Sequence, residues 1–305
     1  MHKTKTTDIE VIESLEQSRS RADLRQKLLF LGPAFALLAL LVGYPLINNF
    51  VMSLKDVPAS LQGGEWVGIQ NYLEIAKDQR FWLAAGRTFI YSFSAVFLEV
   101  ILGVGMALIL NQAFRGRSFL RALFLFPMIA TPVAVSMVWR LMFQPELGVL
   151  NTLLMAAGLS PLQWLSNPTM AMVSLIIVDV WEWTPQVGLI VLSGLAGLSN
   201  EPQEAAIVDG ANSWQRFWYV TLPAVRPVIV VAAITRLIEA MRTFDPIYVI
   251  TGGGPGTATE TLNLYAYQLM FQFLKPSYAS AVALVFVVVM VLASFMILRL
   301  SRSSK

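Results

Sequence analysis

The sequence predicts an all-α, polytopic membrane protein with six transmembrane helices and a polar loop between the fourth and the fifth. Three observations carry this. The 305 residues are 56% apolar by type. Only 13% are charged, against about 25% in soluble domains. The apolar residues gather in runs of the roughly 20 residues that a helix needs to cross a bilayer core. There is no cysteine, which excludes a disulfide framework and a thiolate metal site. The single histidine is His2. A net charge of +3 reads as loop bias in a membrane protein, and nothing in it points to nucleic acid.

Residues 1–27 are expected to form a cytosolic tail. About 27 polar residues precede the first apolar run, and no clear small-x-small site follows that run, so the N-terminus does not read as a standard cleaved signal. Within them "DIEVIESLEQ" places Ile9, Ile12 and Leu15 on one side of a short helix, and a weakly ordered tail fits equally well. The six spans fall near 28–51, 86–111, 119–143, 168–197, 224–250 and 278–299. Together they make a membrane domain over 28–299, and 300–305 is a second cytosolic tail. Prolines and glycines within the spans do not veto them, because neighbouring helices and side chains re-satisfy freed backbone groups.

Basic residues set the direction. They concentrate in the first tail (Lys3, Lys5, Arg19, Arg21, Arg25, Lys27), the second–third connection (Arg115, Arg117, Arg121), the fourth–fifth loop (Arg216, Arg226) and the C-terminus (Arg299, Arg302, Lys305). The alternate connections carry fewer: Lys55, Lys77, Arg80, Arg87 and Lys275. Both termini and the fourth–fifth loop are therefore expected in the cytosol. The long stretch "SLKDVPASLQGGEWVGIQNYLEIAKDQRFW" and the glycine-rich "TGGGPGTATETL" fall outside. No internal repeat, low-complexity segment or second soluble domain is evident.

The fourth–fifth loop, 199–223, does not follow the basic-inside pattern, since Glu201, Glu204 and Asp209 offset its arginines. "EPQEAAIVDGA" reads as a helix start, with Pro202 in the first turn and both glutamates near the positive end of the helix dipole. Gly210 ends that helix or allows a turn. "NSWQRFWYV" is a second helix capped by Asn212 or Ser213, with Trp214, Phe217 and Trp218 on one face. "LPAVRP" is expected to stop it and open the fifth span. Such a knob suits a gripping partner. An interfacial helix with its tryptophans among lipid headgroups accounts for the same composition.

Glu204-Ala205-Ala206, Asp209-Gly210-Ala211 and Leu222-Pro223 resemble the EAA loop of ABC importer permeases of the carbohydrate, maltose-type family. "GIQNY", "FPMIATPVAVSMVWRLMFQPELGVLN" and "ITGGGPGTATETL" match at their expected places, so the likeness covers most of the chain beyond residue 27. The resemblance implies a permease of the cytoplasmic membrane, both termini cytosolic, that imports sugar by alternating access. It implies as partners a second permease subunit, two cytosolic ATP-binding subunits that use the ATP, and an extracytoplasmic solute-binding protein. It further implies that loop 199–223 docks into the ATP-binding subunit, with Glu204 making a polar contact and Gly210 permitting the tight turn.

Ionisable residues inside a span are costly and usually functional. Asp179, Glu182, Trp183 and Gln186 share one face of the fourth span, beside Pro185. Arg236, Glu239 and Thr243 share a face of the fifth, with Arg242 on its flank, and Arg140 stands in the third. Carboxylates accept from sugar hydroxyls, and an indole offers a flat face to a sugar ring. These residues are expected to line the path of the cargo; helix–helix ion pairing is the competing role. Glu99 either pairs with an arginine or lines the path. "TGGGPGT" is not a phosphate loop, because no Gly-Lys-Ser/Thr follows it. It suits a turn that touches a partner or orders an outer gate. No catalytic motif, cofactor-binding motif or metal-ligand set is evident, so an enzyme is not expected. An ion-coupled carrier using Asp179, Glu182 and Glu239 as a proton relay is the alternative function, and a non-sugar cargo is the alternative within the importer reading.

Overall fold

The computed structural model describes residues 29–58 and 63–302. The amphipathic segment through Ile9, Ile12 and Leu15 lies outside the described residues, as do residues 303–305. The chain is helical nearly throughout, as the apolar periodicity predicts. Helix α1 spans Leu29–Ser53. A short antiparallel pair follows, β1 (Lys55–Asp56) and β2 (Glu65–Trp66), with Lys55 opposite Trp66. Then come α2 (Gln70–Lys77), α3 (Gln79–Asn111), α4 (Arg117–Ile129), α5 (Pro132–Met142), α6 (Val149–Ala156) and α7 (Pro168–Ala196). Helix α8 (Glu201–Val208), α9 (Ser213–Met241), α10 (Leu262–Phe271) and α11 (Pro276–Arg302) complete the chain.

Among the described residues five helices are long and apolar enough to cross a membrane: α1, α3, α7, α9 and α11. The third expected span is not one straight helix. It is α4 and α5, bent by 95° at Ala130–Thr131. The cause is local: Pro132 forces Thr131 into an extended conformation, with ψ 134°, and a residue before proline disfavours the helical region. The second span starts earlier than expected, at Gln79, because Asp78 caps it through a 2.8 Å bond from the Arg80 N–H. The fifth starts at Ser213 rather than near 224. "LPAVRP" does not stop the preceding helix. A wider turn at Phe217–Thr221, in which the Leu222 N–H reaches the Phe217 carbonyl, passes the chain into Leu222–Met241 without a break. Such widened turns absorb the bond that a following proline cannot make. The same helix ends at Met241, before the expected 250, and a separate wide turn covers Ile247–Thr251.

The centre of the bundle is α3 against α7. They approach closely at Gly103 and Gly188: a Cβ on Gly103 would lie 2.9 Å from the Val187 Cβ and 3.0 Å from the Gly188 nitrogen. Small residues permit such backbone contact between membrane helices. Helix α9 packs on this pair, and α11 packs on α9, α10 and α1. One apolar core lies around Val187, Val191 and Leu110 near the 199–223 loop, another around Leu237, Met241 and Leu262 farther along.

The end of the bundle opposite that loop is tied by polar contacts. Arg80 makes two bonds to Glu260, at 2.6 and 2.9 Å, and one to Gln268 at 2.9 Å. Tyr265 and Tyr278 both donate to Asp78 Oδ2, at 2.6 and 2.7 Å. Partial burial pushes the Asp78 carboxyl up, but these two hydroxyls and the N–H groups of Phe81 and Arg80 together hold it below its ordinary value. The "TGGGPGT" segment folds on itself, with Thr259 Oγ1 bonded to Thr251 Oγ1 at 2.7 Å and donating to the Gly254 carbonyl at 2.8 Å.

Candidate functional site

Two polar features stand out: the helix–turn–helix at 199–223 and a charged cluster inside the bundle. Helix α8 has Pro202 in its first turn, with Glu201 and Glu204. It ends in a paired motif: the Gly210 N–H bonds the Ile207 carbonyl at 3.0 Å and the Ala211 N–H bonds the Ala206 carbonyl at 2.9 Å. That arrangement needs a left-handed residue at the turn, and Gly210 supplies it with φ of +80°. Asn212 then opens α9 through a reciprocal cap, its side chain accepting from the Gln215 N–H and the Gln215 side chain accepting from the Asn212 N–H, both at 2.9 Å. Trp214, Phe217 and Trp218 pack edge-on or tilted against one another, with centroids 5.3–6.1 Å apart. The Gln203 side chain donates to Thr221 Oγ1 at 2.7 Å and so ties α8 to α9. Gln203 and Gln215 are contributors that sequence reasoning missed; the Asn-x-x-Gln spacing signals the second, and nothing local signals the first.

Around this locked frame Glu204, Ala205, Asp209, Gly210 and Pro223 are exposed, and Ala206, Ala211 and Leu222 are half-buried. Val208 is 87% exposed and Tyr219 80%. Exposed apolar side chains beside acids on a stiff projection make an incomplete surface of the kind that a partner covers.

The second feature centres on Arg236. Its guanidinium meets both oxygens of Glu99, at 2.8 and 2.9 Å. It also reaches Asp179 Oδ2 at 3.1 Å and Glu239 Oε2 at 3.1 Å, and it stands 5.1 Å from the ring centre of Trp183. Three helices are joined: α3 gives Glu99, α7 gives Asp179 and Trp183, α9 gives Arg236 and Glu239. Glu99, Asp179 and Arg236 are fully buried, and burying such charges is tolerable only when they are paired. Glu99 therefore pairs with an arginine.

Beside the cluster opens a cavity of about 300 Å³, lined by Glu182, Trp183, Arg236, Glu239, Arg242 and Thr243, and by Asp245 and Pro132. Gln186 Nε2 reaches Glu239 Oε1 at 3.4 Å from behind. Of the path residues expected from sequence, Glu182, Trp183, Glu239, Arg242 and Thr243 meet at this cavity. Asp179 sits behind Arg236. Arg140 lies elsewhere, donating to the Val249 carbonyl at 3.0 Å. Sequence reasoning missed Asp245, although it stands two residues from Thr243.

The family described as "Binding-protein-dependent transport system inner membrane component" matches residues 99–305. A probable ABC transporter permease of Sinorhizobium fredii is 41% identical over 90% of this chain and 90% of its own length. The permease MalF of a trehalose/maltose transport system, from Thermococcus litoralis, is 38% identical over 78% of this chain and 81% of its own. Among solved structures, a chain of a bacterial ABC transporter involved in the import of the acidic polysaccharide alginate superposes with a TM-score of 0.81. It is 22% identical, covers 93% of this chain and 99% of its own, and shares the fold.

Proposed function

Because the chain belongs to the family of binding-protein-dependent transport system inner membrane components, we propose that it is one permease half of an ATP-driven sugar importer. The trehalose/maltose permease among its relatives supports sugar as the cargo. The cavity supports it too: it offers carboxylates and a threonine hydroxyl for sugar hydroxyls and an indole face for a ring.

One observation carries the mechanical half of the reading. The 199–223 segment is locked internally by a reciprocal cap, a helix-ending pair and the Gln203–Thr221 bond, yet its outward surface is uncovered. A stiff element with an open surface transmits force from whatever grips it. Glu204, Ala205, Ala206, Asp209, Gly210, Ala211, Leu222 and Pro223 then form the contact to a cytosolic ATP-binding subunit. Helix α9 runs unbroken from this loop to Glu239, so displacement of the loop reaches the cavity wall through one rigid rod. Closure of the ATP-binding pair shifts the population between inward- and outward-open states, and a loaded solute-binding protein favours the latter.

Reconstitution tests this. Proteoliposomes carry this chain with its second permease and two ATP-binding subunits, and the solute-binding protein is added outside. ATP in the lumen compartment facing those subunits should drive uptake of labelled trehalose or maltose without an ion gradient. Uptake that follows a proton gradient and ignores ATP would return the chain to the ion-coupled alternative.

A further inference from the structure

The cavity beside Arg236 is acceptor-rich and carries an excess of acid. We infer that this half of the passage selects cargo by charge, admitting neutral and amino-bearing saccharides and disfavouring acidic ones. The inference rests on the sugar reading above and sharpens it.

Glu182 is the key observation. It is 1% exposed, it lines the cavity, and its Oε2 atom has no hydrogen-bond partner among the described residues. A buried carboxylate oxygen without a donor is costly, so the site is finished only when something supplies one. A solute that carries hydroxyls or an ammonium group supplies the donor that Glu182 lacks. A solute that carries a carboxylate or sulfonate supplies none and adds repulsion.

The charge balance points the same way. Glu182, Glu239 and Asp245 line the cavity, together with Arg236 and Arg242. Arg236 is already committed, since both oxygens of buried Glu99 and one of Asp179 hold it from behind. Its single positive charge is shared among those two carboxylates and Glu239, which its Nη1 also meets at 3.1 Å. Arg242 is exposed and makes no ion pair among the described residues, so it offsets one of the three acids. The field at the cavity is therefore negative, and in a water-poor site that field acts strongly on a charged solute. Discrimination of this kind comes from building repulsion against the wrong cargo as well as contacts to the right one.

The test omits the solute-binding protein, so that only the membrane portion selects. The detergent-purified transporter, both permeases with both ATP-binding subunits, is dialysed against labelled D-glucosamine, D-glucose and D-glucuronate at neutral pH. Retention should rank glucosamine over glucose over glucuronate, with at least about tenfold between the first and last, which is about 1.4 kcal/mol. Glu182→Gln and, separately, Glu239→Gln should flatten the ranking, and a melting curve of each variant shows that it is folded. Glucuronate retained as well as glucose would overturn the inference. So would a wild-type ranking in both variants, or no retention of any probe. If all three sugars fail while L-arginine is retained and L-glutamate is not, the charge selection stands and the sugar reading falls.

Discussion

Arg236→Met removes the one cation shared by Glu99, Asp179 and Glu239. Breaking a buried ion pair by deleting one partner costs about 3–5 kcal/mol, because the other charge stays behind unpaired. Here two fully buried carboxylates are left, so the cost is at least that of one pair. For a chain of this size each kcal/mol lowers the melting midpoint by about 2–4 °C. The expected fall is therefore roughly 6–20 °C, followed by thermal unfolding of the detergent-purified transporter. Glu99→Gln is the control. Its amide oxygen still accepts from the guanidinium, and Arg236 keeps Asp179 and Glu239, so the loss is one charge-assisted bond, about 1.5–3 kcal/mol. A third variant separates polarity from packing: Arg236→Met with Glu99→Leu and Asp179→Leu replaces the whole buried set by apolar groups. It should recover most of the loss, since such replacement is often neutral or stabilising. A midpoint for Arg236→Met within about 2 °C of the parent would refute the reasoning, because it would mean these charges are not buried as a set.

Gly210→Val should lower transport while leaving membrane insertion intact. The space around Gly210 is open, so no clash arises; the penalty is the left-handed backbone, about 1–2 kcal/mol for a residue with a Cβ, and Gly210→Asn should do better than Gly210→Val in the same uptake assay. Gly103→Val should push α3 from α7 and cost about 1–3 kcal/mol of stability, read as a lowered melting midpoint. Asp78 contributes pH-dependent stability of a stated sign: its carboxyl is held below its ordinary value, so the contribution is present above the unfolded value and is lost as pH falls through the lowered one. Melting midpoints taken downward from pH 5 should therefore fall less steeply for Asp78→Asn than for the parent.

Much of this was legible in sequence because it is local. Pro202, Gly210 and Asn212 each act within a turn or two, and each sits where the helix–turn–helix requires it. The apolar runs set the spans for the same reason. The corner between α4 and α5 hid inside a continuous apolar run, where hydropathy drowns a single Thr-Pro step. The passage of α9 through Pro223 depends on a widened turn, which no residue type announces. Arg236 meets Glu99 across 137 positions of chain, and only the packing of α3, α7 and α9 decides which acid it takes. Composition left Glu99 between an arginine partner and the path, and the packed helices give it Arg236.

The right-angled corner at Ala130–Thr131 has a consequence for how this subunit is handled. The final carbonyls of one arm and the initial amides of the other lack helical mates, and hydrocarbon offers them nothing. On the isolated chain both corner residues are uncovered, while Pro132, next to them, lines the cavity. Solvent in the conduit or a neighbouring polypeptide must shelter that elbow in the working machine. Extracted singly, the polypeptide keeps an open seam there, so its durability is a property of the complete transporter and should be measured on nothing less.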